Sequence, residues 1–551
     1  MKKLFLVLFG LAVMGSATAQ QQGNHWMPVG LENNMTVNGI ILIDGVEQTV
    51  STLEVGAFCG DECRGSRRGA YFSMTGQYVV PLQIQGNGNS EVITFRLYDH
   101  VTQQELDLVC ANTLEFDING RLGTPGNWYL FAFLTPVIPT EGFHFTVEGN
   151  WNDASHWLGG VLPSPEDEAF IDAPCQLNQN VEVAALTITE GQTLTLQSGK
   201  KLTVSGTLTN TLPEGLVIND GAQLVHNTEN VCATVKKSIA GYNNDRGKYH
   251  LITNPLTSAV NPETASVNHL TSGNYDLYYW LVDNPDELEW RNYKKNTFML
   301  SPDGKGYLYA NHRGVELSFP GILRPSYPYY CKPISYVSGD AYHFGGWNLV
   351  GNPFVCNAYL VDENGNPLPY YKMNASGRSF EATVSSAIAP MEGVFYVTSG
   401  DRYVYFTRNA PAKKGGILTM SVNQGDNVID NALIRFDGGN TLKKFDFNGE
   451  SSRLYIPQEG KDYAVVDANK VGEMPVCFKA EQNDTYTLSF SSEIVEFSYL
   501  HLVDNLTGED IDLLDTAALR QAQGPQATYT FEAKTTDKAD RFMLIYSVES
   551  K

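Results

Sequence analysis

The chain has 551 residues, a formal net charge of −23 and a pI near 4.8. This length exceeds what one hydrophobic core usually serves, so several domains are expected. The negative charge argues against nucleic acid and anionic membranes as partners, because a surface of this sign cannot neutralise either.

The first nineteen residues, MKKLFLVLFGLAVMGSATA, have the pattern of a signal peptide. Two lysines precede an apolar run, and Ala17-Thr18-Ala19 is the small-x-small site that a signal peptidase cleaves. The sequence therefore predicts export, with a mature chain that starts at Gln20 and is extracellular, surface-bound or periplasmic. No later run of about 18 apolar residues occurs, so no transmembrane segment is expected in the mature chain.

Residues 20–136 read as an antiparallel β-domain. Short apolar runs such as GIILIDG and EVITFRLYD alternate with turns rich in glycine, asparagine and aspartate. Asp-Gly and Asn-Gly pairs suit tight hairpins, because these residues tolerate positive φ.

Residues 142–242 are expected to form a tryptophan cap followed by a short β-solenoid. Leu186, Leu194 and Leu202 each open a Leu-Thr-apolar triplet, eight residues apart. Such strands are too short to stand alone and bury their inward residues by coiling. Trp151 and Trp157 precede the repeat and are interpreted as covering its exposed first coil; an exposed sugar-stacking pair is the alternative.

Residues 246–411 contain an internal duplication, and residues 417–551 are read as a C-terminal β-sandwich. YHLITNPL at 249–256 matches WNLVGNPF at 347–354, and GYLYANHRGVELSF at 306–319 matches GVFYVTSGDRYVYF at 393–406. Two aromatic-rich strands around a polar turn predict a repeated hairpin. The predicted fold class is all-β, with several β-sandwich-like domains and a short β-solenoid segment.

The stretch EVGAFCGDECRGSRRG, residues 54–69, brings two cysteines close together in sequence. Cys59 and Cys63 flank a three-residue loop, so a hairpin disulfide is predicted, with Cys110 as the rival partner. A metal site would need a second ligand pair nearby, so none is expected.

No cofactor or catalytic motif is recognisable. The chain lacks the H-E-x-x-H, G-x-S-x-G, P-loop and dinucleotide signatures, and its ten histidines are scattered singly. Asp362, Asn364 and Asn366 begin like a calcium loop, but Pro367 stands at the glycine position, which favours a hairpin turn. The paired carboxylates of a glycosidase come from distant strands and leave no local motif, so that alternative stays open.

Taken together, these segments resemble large exported or surface proteins of the Bacteroidetes type, which are associated with type IX secretion and are adhesin-like. The resemblance rests on GAFCGDECRG, on the tryptophan-led coil with its LTI and LTV triplets, and on LVGNPF. The C-terminal sorting domain of that family is not visible here. The resemblance implies a surface or secreted adhesin-like protein without naming its ligand.

The function expected from the sequence is recognition without catalysis, of a glycan or another surface protein. Tyrosine suits such surfaces because its ring gives contact area and its hydroxyl still bonds. A polysaccharide-degrading enzyme or its accessory protein, and a purely structural envelope protein, are the alternatives. Most of the 29 tyrosines are expected in cores. The candidate binding residues alternate along the duplicated strands and are Tyr307, Tyr309, Tyr396, Tyr403 and Tyr405.

Overall fold

The computed structural model describes residues 23–135, 142–243, 248–264, 269–282, 289–338, 344–412, 415–445, 451–514 and 527–549. Strands account for 52% of the described residues and helices for 1%, which confirms the all-β prediction. The signal peptide predicted at 1–19 lies outside the described residues. The chain divides into two compact units: residues up to Ile138 with Gly159–Val161, and Pro139–Leu158 with Leu162–Lys551.

The first unit contains twelve described strands. They are β1 (Asn33–Ile43), β2 (Val46–Glu47), β3 (Leu53–Cys59), β4 (Glu62–Arg68), β5 (Ala70–Phe72), β6 (Gln77–Gly86), β7 (Val92–Asp99), β8 (Gln104–Glu105), β9 (Val109–Cys110), β10 (Leu114–Glu115), β11 (Arg121–Leu122) and β12 (Tyr129–Leu134).

These strands form two sheets around one core. One sheet has the order β5-β6-β1-β12-β9 and the other β10-β7-β3-β4. Alternate residues point inward, so Val37, Leu82 and Phe131 from the first sheet meet Val55 and others from the second. The pairing is mostly antiparallel, but β1 and β12 run parallel, because the chain crosses between the sheets before it returns.

The second unit begins with twelve further strands. They are β13 (Phe143–Phe145), β14 (Gly149–Asn150), β15 (Glu168–Ile171), β16 (Cys175–Leu177), β17 (Val181–Val183), β18 (Ala185–Ile188), β19 (Leu194–Leu196), β20 (Lys201–Val204), β21 (Leu208–Thr209), β22 (Leu216–Ile218), β23 (Gln223–Val225) and β24 (Cys232–Ile239), with short 3₁₀ helices at Ala154–His156 and Pro213–Gly215.

The predicted solenoid is confirmed by the pairing of these strands. Three parallel stacks form, β13-β15-β18-β21, β14-β16-β19-β22-β24 and β17-β20-β23. Leu186 pairs with Leu208 and Leu194 with Leu216, so one coil takes 22 residues. The eight-residue spacing seen in the sequence therefore corresponds to one side of a three-sided coil.

The two tryptophans of the cap are buried, as predicted. Their ring centroids lie 4.7 Å apart in an edge-to-face arrangement, and the Trp157 indole N–H donates to the Trp151 carbonyl oxygen at 2.8 Å. Phe145 on the first coil packs against Trp157 at 5.2 Å. The pair therefore closes the end of the solenoid and offers no exposed stacking platform.

The described part of the duplicated region contributes twelve strands. They are β25 (His250–Thr253), β26 (Tyr275–Trp280), β27 (Trp290–Asn292), β28 (Gly306–Asn311), β29 (Val315–Ile322), β30 (Tyr330–Ile334), β31 (Trp347–Gly351), β32 (Tyr359–Val361), β33 (Tyr370–Met373), β34 (Phe380–Thr383), β35 (Gly393–Val397) and β36 (Arg402–Thr407).

The duplication is visible in the topology. The four-stranded sheets β25-β28-β26-β27 and β31-β35-β33-β34 have the same strand order. In each copy the strand before this sheet, β24 or β30, pairs antiparallel with the strand after it, β29 or β36. We call the stretch 232–322 the first module and the stretch 330–407 the second module.

The predicted repeated hairpin is wrong, although the repeat itself is present. β28 pairs with β25 and β26, whereas β29 pairs with β24 in a different sheet. β35 and β36 separate in the same way. The polar turn in each copy therefore carries the chain from one sheet to another, which short-range sequence cannot distinguish from a hairpin.

The two modules meet through equivalent backbone positions. The Thr253 N–H donates to the Met391 carbonyl oxygen at 3.2 Å, and the matching Gly351 N–H donates to the Gly304 carbonyl oxygen at 2.9 Å. The first module donates in one bond and the second module donates in the other, from equivalent positions. The pair of modules therefore has an internal pseudo-two-fold axis.

The Asn-Pro step that ends the matching strands has the same role in both copies. The Asn254 side chain accepts from the Leu256 N–H at 2.9 Å and donates to the Ser258 and Leu300 carbonyl oxygens. Asn352 likewise accepts from the Phe354 N–H at 2.9 Å and donates to the Cys356 carbonyl oxygen. Both asparagines are buried and fix the turn.

The described residues of the C-terminal segment form a sheet of eleven strands that is nearly closed around one core. The strands are β37 (Ile417–Gln424), β38 (Asn427–Arg435), β39 (Leu442–Lys443), β40 (Arg453–Gln458), β41 (Lys461–Asp467), β42 (Val471–Lys479), β43 (Asp484–Glu493), β44 (Phe497–Asp504), β45 (Glu509–Asp512), β46 (Ala527–Ala533) and β47 (Phe542–Val548).

The second module joins the solenoid on one side and the C-terminal sheet on the other. The Leu224 N–H of the solenoid donates to the Val355 carbonyl oxygen at 2.9 Å. The Tyr371 hydroxyl donates to the Lys443 carbonyl oxygen and accepts from the Phe445 N–H, both at 3.1 Å. These contacts fix the orientation of the module within the second unit.

Candidate functional site

Three of the five candidate tyrosines are buried, which corrects their selection as binding residues and leaves Tyr403 and Tyr405. Tyr307 and Tyr309 lie on β28, where every residue is buried because both faces of the strand are covered. Tyr396 on β35 is buried in the core of the second module. None of these three rings can present a face to a ligand.

The buried hydroxyls are engaged inside the protein. The Tyr307 hydroxyl oxygen accepts from the Ser301 N–H at 2.6 Å, and the Tyr309 hydroxyl donates to the Leu270 carbonyl oxygen at 3.0 Å. Burial raises the pKa of Tyr309 to about 12. These tyrosines therefore serve the fold, as was expected for most of the 29.

Tyr403 and Tyr405 lie on the outer face of the small sheet β30-β36-β32. Their neighbour Val404 points into the core, so alternation turns both rings away from it. Tyr403 is 57% exposed, and Tyr405 is half-buried. On the adjacent strand Pro333 lies opposite Tyr403 and Cys331 lies opposite Tyr405.

Two further tyrosines belong to this surface and were missed at the level of sequence. Tyr359 on β32 pairs with Thr407, which places it on the same face as Tyr405. Tyr329, just before β30, is exposed, and its hydroxyl oxygen lies 4.0 Å from the Cβ position of Gly365 in the turn after β32. We call the set Tyr329, Tyr359, Tyr403 and Tyr405 the tyrosine face.

The polar surroundings of the tyrosine face include the Tyr405 hydroxyl and an ion pair at the edge. Partial desolvation, a hydrogen bond with Cys331 and the charge of Glu363 raise the pKa of the Tyr405 hydroxyl. That hydroxyl therefore stays protonated at neutral pH. At the edge, the Arg402 guanidinium pairs with the Glu363 carboxylate at 3.3 Å. The surface can stack against an apolar ring face and hydrogen-bond at its rim.

The first module carries different residues at the matching outward positions. Glu316 matches Tyr403 and Ser318 matches Tyr405 in the aligned copies. On the neighbouring strand Lys236 lies opposite Ser318, as Cys331 lies opposite Tyr405, and its ammonium pairs with the Glu316 carboxylate at 2.9 Å. A solvated ion pair thus stands where the second module has two aromatic rings.

The inward positions of the same strands are apolar in both modules. Leu317 and Phe319 of the first module match Val404 and Phe406 of the second, and all four are fully buried. The fold therefore requires apolar residues at these positions and accepts either charge or tyrosine on the other face. This surface could have been found from the sequence by aligning the two copies and comparing the residues at their outward positions.

No family model, curated protein or solved structure matches this chain. Within the described ranges, no helix is long and apolar enough to cross a bilayer. No group of three or more His, Cys, Asp or Glu side chains in that part of the chain is placed to hold a metal ion.

All eight cysteines lie within the described ranges and are free thiols, including the pair predicted to form a disulfide. In the hairpin of β3 and β4, Cys59 lies opposite Glu62, and Cys63 lies opposite Phe58. The two thiols therefore start from adjacent rungs of the ladder rather than facing each other. The Cys59–Cys63 bond is absent from this structure, and Cys110 is likewise unbridged.

Proposed function

We propose that this protein is an exported, non-catalytic, adhesin-like protein that binds a glycan or another surface protein through the tyrosine face. The observation that carries the proposal is the exchange between the two modules. At matching outward positions, the Glu316 and Ser318 of one copy are replaced by Tyr403 and Tyr405 in the other, while the core beneath keeps its apolar character.

An exposed tyrosine at such a site contributes little to the stability of the free protein and more to the affinity for a ligand that covers it. An exposed ring gains little in the free protein, whereas a ligand that covers it removes apolar area from water at low entropic cost. A signal-peptide-like N-terminus and the resemblance to exported surface proteins of the Bacteroidetes type support the same proposal. We infer export from that N-terminus, to an extracellular, surface-bound or periplasmic location.

The test uses purified residues 20–551 on a glycan array and on a cell-surface preparation. Binding is expected without turnover, and replacing Tyr403 or Tyr405 by alanine should weaken it by about tenfold or more. Ser318→Ala, at the matching position of the first module, is the control and should leave binding unchanged.

Three outcomes distinguish the alternatives. Polysaccharide turnover that a single carboxylate substitution abolishes would establish the enzyme. Absence of binding to every glycan and surface preparation would favour a purely structural envelope protein. Binding that survives both tyrosine substitutions would place the recognition surface elsewhere.

A further inference from the structure

The two outer faces of the first unit differ in how they are covered. Over the sheet β10-β7-β3-β4, the segment 24–26 is tied down by the buried Glu54 carboxylate, which accepts the His25 N–H at 2.8 and 2.9 Å. The Trp26 ring lies on Gly56, where a Cβ would begin 2.6 Å from it. The chain itself therefore covers the part of that face around Glu54 and Gly56.

The outer face of the sheet β5-β6-β1-β12 has two exposed leucines on β12. Leu130 and Leu134, which point away from the core on β12, are 46% and 47% exposed. Beside them lies a cluster of aromatic and polar side chains that were not recognised in the sequence. Its members are Glu47, Phe72, Gln77 and Trp128.

The side chains of this cluster hold each other in place. Phe72 and Gln77 are directly paired across β5 and β6, and the Phe72 and Trp128 rings meet edge to face at 5.6 Å. The Trp128 indole N–H donates to the Gln77 amide oxygen at 2.8 Å. The Gln77 amide nitrogen in turn donates to both Glu47 carboxylate oxygens at 3.2 Å.

We propose that this cluster is a binding site for a neutral saccharide. A sugar has an apolar C–H face that stacks on an aromatic ring, and hydroxyls that need acceptors at the ring's edge. Trp128 supplies a half-buried indole whose orientation is fixed by Gln77. Glu47 receives one amide nitrogen and keeps lone pairs free to accept sugar hydroxyls.

The charge of the protein selects a neutral ligand over an anionic one. The chain carries −23, and the charged member of the cluster is the Glu47 carboxylate. An acidic sugar or a phosphorylated ligand would be repelled there. The site is in the first unit and shares no residue with the tyrosine face. The saccharide-site proposal can therefore be tested separately from the proposed function.

The test is calorimetric titration of purified residues 20–551 with neutral hexasaccharides of glucose, mannose, xylose and N-acetylglucosamine. At least one should bind, and Trp128→Ala should weaken its affinity by about tenfold or more. Gln77→Ala should weaken it as well, because the indole and the Glu47 carboxylate lose the side chain that joins them.

Tyr71→Ala is the matched control. Tyr71 is 61% exposed and lies next to Phe72 on the same short strand, but its side chain is on the opposite face. It should leave the affinity unchanged, as should the double variant of Tyr403 and Tyr405. Thermal melts of each variant establish that the first unit remains folded.

Either of two results would overturn the assignment. One is a lack of binding to all four hexasaccharides. The other is equal affinity of folded Trp128→Ala or Gln77→Ala and the unsubstituted protein.

Discussion

The first and second modules share a topology, a buried asparagine turn and a set of apolar core positions, yet their outer faces differ. In the first module the outer face of β29 carries Glu316 in an ion pair with Lys236. In the second, the outer face of β36 carries Tyr403 and Tyr405. What both copies keep identifies what the fold needs, and what only one copy has identifies what is available for function.

The shared core gives the largest expected effect. Phe319 and Phe406 are fully buried at matching positions. Alanine at either position should lower the free energy of unfolding by about 3–5 kcal/mol, because each leaves a cavity the size of a ring. Denaturant unfolding of the two variants measures this, with Ser318→Ala as the control. A large loss of unfolding free energy in one variant but not in the other would show that the two modules are not equivalent.

Acid should weaken the junction between the solenoid and the second module. Burial of His226 lowers its pKa to about 4, and the nearby Glu229 opposes this shift only in part. The unfolded state therefore takes up a proton first as pH falls below about 6.5. Stability should be lost between pH 6.5 and 4, by roughly 3 kcal/mol.

The measurement is the unfolding free energy of the second unit at pH 6.5 and pH 5. A His226→Gln variant removes the titrating group, so its stability should vary less over this interval even if its value at pH 6.5 is lower. An identical pH slope in both proteins would contradict the contribution of His226.

The asparagine turns give the next effect. Asn254→Ala and Asn352→Ala should each cost about 1–3 kcal/mol, because buried backbone groups lose their partners. Asn352 should be the more sensitive, since its amide nitrogen also contacts the Ala389 carbonyl oxygen at 3.0 Å. Unfolding curves of the pair test the order. A larger loss at Asn254 would show that the two turns are not equivalent.

Features of the fold that repeat a local sequence pattern could be predicted from the sequence. Features that depend on contacts between distant segments could not. The solenoid follows from Leu186, Leu194 and Leu202 because every coil repeats the same local pattern. The pairing of β28 and β29 with other strands did not follow, because a turn between two apolar strands looks the same whether they pair or separate.

The candidate sites show the same limit. Alternation along β28 could not reveal that both of its faces are covered, so Tyr307 and Tyr309 were included among the candidate binding residues. Tyr359 and Trp128 carry no local signal, since their neighbours in the two surfaces come from other strands. Burial and surface clustering depend on tertiary contacts that a single sequence does not display.

The smallest effect is expected on the outer face of the first module. The ion pair of Lys236 and Glu316 is partly exposed, so Lys236→Ala should change stability by less than about 1 kcal/mol. It should also leave ligand binding unchanged. Loss of binding in this variant would mean that the first module, rather than the second, carries the recognition surface.

Exchange of the outward residues between the modules tests the central claim most directly. Tyr403→Glu combined with Tyr405→Ser gives the second module the residues that the first already accommodates, and its melting curve should be close to that of the unsubstituted protein. Affinity for the glycan or surface preparation should fall by about tenfold or more. Unchanged affinity in the folded double variant would contradict the assignment of the tyrosine face.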